Sequence, residues 1–131
     1  MSADLLQDAQ RVAFPGFESH GPFYRLVSSD SADRYIYIAD TRHTDDGGRL
    51  PRAVLAGFAH GAMEAACRSN GESPTIVSLS CDFAADAQAG DRIEAQIRIT
   101  RRTRSVIFLS ADLTANGRVL LTANGLAKPA A

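Results

Sequence analysis

The chain has no tryptophan, one lysine (Lys128) and two cysteines among its 131 residues. Two cysteines cannot build a disulfide framework, so Cys67 and Cys81 are expected as free thiols in a reducing cytoplasm. No apolar run approaches the ~18 residues of a membrane span, and the acid-bearing start MSADLLQDAQRV lacks the apolar stretch of a signal peptide. A membrane partner is therefore not expected. A net charge of −1 supplies no basic field for nucleic acid, and few aromatics interleave with the arginines. Internal repeats, glycine-rich phosphate loops, nucleophile elbows and Cys-x-x-Cys pairs are all missing, and no cofactor is expected. What is present is ordinary for a globular protein: 45% hydrophobic and 22% charged residues. The length fits one domain able to bury a core without staples.

Residues 3–12 read as a short helix, with Leu5, Leu6, Ala9 and Val12 on one side. Aromatic and β-branched residues mark strands over about 22–27 and 34–40. After a polar loop, Pro51 opens and Asn70-Gly71 closes a helix over about 51–70. It is apolar nearly all round, which requires the rest of the fold to wrap it. Strands follow at about 75–84, 92–101, 104–114 and 118–127, with Asn116-Gly117 as a hairpin turn. In the second of these, Ile93, Ala95, Ile97 and Ile99 face one way while Glu94, Gln96 and Arg98 face the other, as in a sheet with one buried face. The expected class is α+β, an antiparallel sheet around one long central helix.

That helix carries a polar stripe. His60, Glu64 and Arg68 stand at i, i+4 and i+8 and so lie along one line. Taken by itself, the stripe fits a hydrogen-bonded patch at an interface or watered cavity as well as a working site. The His-x-x-x-Glu spacing alone offers two metal ligands and lacks a third, so no metal site is expected.

From about Gly21 to Pro129 the chain resembles the hotdog-fold thioesterases of the phenylacetate-pathway type, which hydrolyse acyl-CoA thioesters. Those sequences often carry G-P-x-Y near the start, and here stands Gly21-Pro22-Phe23-Tyr24. They continue with H-x-N-x-x-G-x-x-H-G-G and, seven residues on, an Asp in the helix. The same register here begins at His43, keeps Gly48 and reaches His60. A strand ending in D-F, with G-D further on, corresponds to Asp82-Phe83 and Gly90-Asp91. The resemblance implies a hotdog fold, active sites between subunits of a homodimer or dimer of dimers, and an acyl-CoA partner.

The departures fall where those relatives keep their chemistry. Asp45 replaces the loop Asn, Pro51-Arg52-Ala53 replaces His-Gly-Gly, and His60 replaces the helix Asp. The resemblance makes Gly48, Arg52, Ala53 and Asp45 the oxyanion and substrate-binding set. The backbone donors at Arg52 and Ala53 survive in principle, while the Arg52 side chain is expected to crowd the approach. An imidazole at position 60 activates water but forms no acyl anhydride, and Glu64 is placed to orient it. His60 and Glu64 are thus the catalytic expectation. Arg101, Arg102 and Arg104, between two strands, are expected to meet CoA phosphates. Some relatives place a hydroxyl where this chain has Ile76, so Thr75, Ser78 and Ser80 receive no catalytic role. Two alternatives stay open: a non-catalytic acyl-CoA or small-ligand binder that has lost the catalytic acid, and an acyl thioester dehydratase-like protein. The latter would use His43, but its helix acid would fall near Gly57, which has no side chain.

Overall fold

The computed structural model describes residues 8–26 and 33–129. Its strands are β1 (Ala9–Val12), β2 (Phe23–Leu26), β3 (Asp33–Ile38), β4 (Pro74–Phe83), β5 (Arg92–Arg102), β6 (Ile107–Ala115) and β7 (Arg118–Pro129). One helix, α1 (Arg52–Ser69), stands between β3 and β4. All seven strands join one antiparallel sheet in the order β1-β2-β3-β5-β6-β7-β4. This is the hotdog arrangement expected from the sequence.

The helix expected at 3–12 is corrected where it can be seen. Ala9–Val12 is a strand, paired from Ala9 with Leu26 to Val12 with Phe23. Its apolar spacing permits a helix, but backbone pairing along β2 and burial beside the core decide otherwise. The first seven residues lie outside the described part. The other elements match their expected spans within three residues at either end. Asn116 and Gly117 both take positive φ and turn β6 into β7.

One face of the sheet is apolar. Ile93, Ala95 and Ile97 of β5, Leu109 and Leu113 of β6, and Leu121 and Ala123 of β7 are buried among α1 residues Leu55, Phe58, Ala62, Met63 and Cys67. The sheet covers only part of so apolar a helix. A strap of residues 13–21 covers more, and the sequence reading did not foresee it. A Cβ on Gly57 would lie 2.5 Å from the Phe17 ring, and one on Gly61 would penetrate the Phe14 ring. Two glycines therefore let two aromatic rings rest on the helix backbone. Phe14 is 1% exposed and stacks on Phe23 at 4.2 Å between ring centroids.

This contact reverses the usual effect of replacing a helical glycine. Gly61→Ala gains about 1 kcal/mol of helix propensity. It must also displace a buried, stacked ring, an overpacking cost of about 1–3 kcal/mol. The expected result is a lower urea midpoint than the parent. A raised midpoint would show that Phe14 yields freely.

Candidate active site

The loop before α1 is built to aim the chain. The Asp45 carboxylate accepts from the amides of Gly47 at 2.9 Å and Arg49 at 3.0 Å. Gly48, at φ +79°, donates its amide to the Asp45 carbonyl at 2.9 Å. Leu50 then ties to Ala87 through a 2.8 Å backbone bond. Asp45 and Gly48, expected to bind substrate, thus spend these polar groups on one another and on shaping the entry to the helix.

At that entry Pro51 is the N-cap and brings no side-chain acceptor. The first-turn amides of Arg52 and Ala53, both exposed residues, are consequently left without a side-chain cap at the positive end of the helix dipole. The expected obstruction by Arg52 does not arise in this conformation. Its Nε donates to Asp86 Oδ1 at 3.2 Å, and its guanidinium carbon stands 5.4 Å from the Phe83 ring centroid. Asp86 also faces Arg49 at 3.6 Å, while its carbonyl accepts from Arg118 at 3.3 Å. Asp86 is the residue that draws Arg52 aside. Nothing local in the sequence marked it, because its partners come from two separated segments, residues 49–52 and Arg118.

Further along α1, Ala56, Gly57, His60 and Glu64 form the partly open stripe, with Arg52, Ala53 and Arg68 exposed at its ends. His60 Nδ1 and Glu64 Oε1 are 3.5 Å apart, with side-chain exposures of 45% and 23%. With Nδ1 turned to the carboxylate, Nε2 is the nitrogen left to meet water. Arg68 does not complete a chain of three, since it donates to the Ala13 carbonyl at 3.3 Å and pins the strap instead. Ala53 and His60 are seven residues apart on the helix, a rise of ~10 Å. An imidazole cannot span that gap, so one chain does not bring its own His60 to a carbonyl held at its own first turn.

His43 is committed elsewhere. Its Nε2 lies 2.9 Å from the Ser19 carbonyl, which can only accept, so this nitrogen carries the proton. Nδ1 then accepts from the Tyr37 hydroxyl at 3.0 Å. Burial, reinforced by Asp40, pushes the Tyr37 phenol up to about 12, which keeps that donor protonated. With both nitrogens of His43 engaged and Gly57 beneath the Phe17 ring, the acid–histidine pair of a dehydratase has no place here.

The arginines at the β5–β6 connection lie at the other end of the molecule. Arg102 pairs at 2.6 Å with Glu72, just beyond the C-terminus of α1, and Arg101 lies over the Phe108 ring at 5.9 Å. Arg104 is exposed. The 18 residues of α1 put this group ~27 Å from the helix N-terminus of the same chain. Among the described residues, no three His, Cys, Asp or Glu side chains gather in a manner suited to a metal ion. Among the described residues, no helix is long and apolar enough to cross a membrane.

Cys67 and Cys81 are unpaired. Burial pushes the Cys67 thiol up to about 11, with Glu72 adding to the shift, and burial also raises Cys81. A raised pKa means less thiolate at a given pH. Iodoacetamide at pH 8 is therefore expected to leave Cys67 unmodified in the folded protein and to label it after unfolding, as read by mass spectrometry. Rapid labelling of Cys67 in the native state would contradict this.

Comparison with known proteins agrees with the fold. A Pseudomonas aeruginosa protein described as a candidate esterase is 28% identical over 112 residues, 81% of each chain. A Streptococcus pneumoniae protein described as a hypothetical thioesterase, solved with coenzyme A, superposes with a TM-score of 0.79 at 12% identity, covering 90% of this chain and 97% of that one. An Escherichia coli protein of the phenylacetic acid degradation operon gives a TM-score of 0.75 at 13% identity, covering 81% and 82%. Residues 53–127 match the acyl-CoA thioesterase N-terminal domain family. That match, over more than half of the chain, makes the chain a member of the acyl-CoA thioesterase family and an acyl-CoA thioesterase-like protein.

Proposed function

We propose that the protein hydrolyses acyl-CoA thioesters at sites shared between two protomers of a homodimer, and that it does so in the cytoplasm, where its two unpaired cysteines remain reduced. The observation that carries this reading is the division of labour along α1. First-turn amides without a side-chain cap stand at one end and a His60–Glu64 pair stands ~10 Å further on. Two antiparallel helices would bring the amides of one protomer opposite His60 of the other. The sheet ends in β4, an edge strand able to pair with a second copy. A dimer of dimers is compatible with the same site.

In this mechanism the thioester carbonyl oxygen rests on the Arg52 and Ala53 amides. Nε2 of His60 takes a proton from water as the oxygen of that water adds to the carbonyl carbon. The amides hold the oxyanion, and Glu64 supports the imidazolium. The C–S bond then breaks, and the CoA thiolate leaves with the proton returned by His60. Arg101, Arg102 and Arg104, all exposed, are assigned to CoA phosphates in the assembled dimer.

The test is thiol release from aryl-, short- and long-chain acyl-CoAs, followed by mixing two inactive variants. Ala53→Pro deletes one oxyanion donor yet suits the first helical turn, and is expected to cost about 10²–10³ in kcat. His60→Ala removes the base. A shared site predicts that refolding the two together restores roughly a quarter of parental activity, because mixed dimers contain one intact site. Active parent without restoration would put the site within one chain. Saturable acyl-CoA binding without turnover would favour the second reading, a ligand-binding protein, which the missing carboxylate at position 60 supports.

A further inference from the structure

The stripe between the helix entry and His60 is bordered by Phe17. Gly57 lies four residues after Ala53 and three before His60, so these positions share one helix face. The Phe17 ring points its tip at this spot: a Cβ on Gly57 would be 2.5 Å from Cζ and 3.0 Å from both Cε atoms. From the side, His20 and Phe23 stack on the ring at 4.5 and 5.6 Å between centroids. Its backbone is clamped too. His43 holds the Ser19 carbonyl at 2.9 Å, Arg42 holds the Gly21 carbonyl at 3.2 Å, and the Phe14 amide donates to Glu18 at 2.9 Å. Phe14 is buried and serves as the anchor, whereas Phe17 is only partly buried and keeps ring surface beside the stripe.

We propose that Phe17 is a specificity-determining wall of the acyl cleft, limiting the length and bulk of the acyl group that extends past Gly57. The inference rests on the thioester reading above. An acyl chain whose carbonyl sits at the Arg52 and Ala53 amides leaves along the face that Phe17 borders. A clamped phenyl ring there excludes methylenes by volume. Glycine at 57 is what lets the ring sit so deep. A side chain at that position would push the ring tip outward into the cleft, so two substitutions should act in opposite directions.

The measurement is kcat/KM over a series of straight-chain acyl-CoAs of rising length, expressed as the ratio of the longest to the shortest ester. Phe17→Ala is expected to raise this ratio roughly ten-fold or more, with Phe17→Leu in between. Gly57→Ala is expected to lower it. Turnover with ratios in Phe17→Ala and Phe17→Leu within about two-fold of the parent would overturn the wall while leaving hydrolysis standing. If the parent shows no turnover, the same series is read by equilibrium binding. A shift toward longer esters in Phe17→Ala then supports the wall without hydrolysis, and an unshifted series or no binding overturns it.

Discussion

Replacing His60 with alanine is expected to lower kcat by about 10²–10⁴-fold, the contribution of a positioned general base. The side chain is 45% exposed and contacts Glu64 at 3.5 Å, so its removal should leave stability within about 0.5 kcal/mol of the parent. Folding and catalysis are thereby separable in one variant. Glu64→Gln should cost less, because it keeps a group beside Nδ1 while removing the charge that supports the imidazolium. Thiol release by His60→Ala at the parental rate, with unchanged thermal unfolding, would remove His60 from the mechanism.

Phe58→Ala is expected to be the most damaging of the core changes considered, lowering stability by about 3–5 kcal/mol. Phe58 is fully buried, and its ring stands 5.7–6.1 Å between centroids from Tyr37, Phe23 and Phe14. It therefore supports the sheet and the strap at once. Against a total of about 5–15 kcal/mol, the loss is large, and a fall in Tm on the order of 10 °C should accompany it. Urea unfolding with an unchanged m-value would attribute the loss to packing. A drop below about 1 kcal/mol would mean that the aromatic cluster closes over the gap.

Much of the fold was legible because its signals are local. The alternation of β5 and the Asn116-Gly117 turn need no tertiary knowledge. The same is true of Pro51 and Asn70-Gly71 bounding α1. The β1 strand was missed because four residues, Ala-Gln-Arg-Val, carry too little pattern to oppose a helical spacing; the pairing with β2 that decides it is not local. The strap was missed for a different reason. Gly57 and Gly61 are each costly in a helix, and two of them one turn apart signal a close approach. That signal was present, but the rings that answer it lie about forty residues earlier in the chain. At the candidate site, His60 and Glu64 as neighbours followed from their spacing. The position of the Arg52 side chain did not, because it depends on Asp86 and Phe83 across a loop. The separation of Arg101, Arg102 and Arg104 from the helix entry required the strand order.

The place of β4 in the sheet has a consequence for synthesis. This strand leaves the helix directly, yet among the described residues its neighbour in the sheet is β7, the last of the seven strands in chain order. Roughly 35 residues separate the end of one from the start of the other, a wait of about 2–7 s at ordinary translation speeds. Until then Ile76, Leu79, Cys81 and Phe83 emerge on a strand whose pairing partner does not yet exist. The same strand that offers the finished protein an edge for a second copy is, on the ribosome, the segment most in need of shelter.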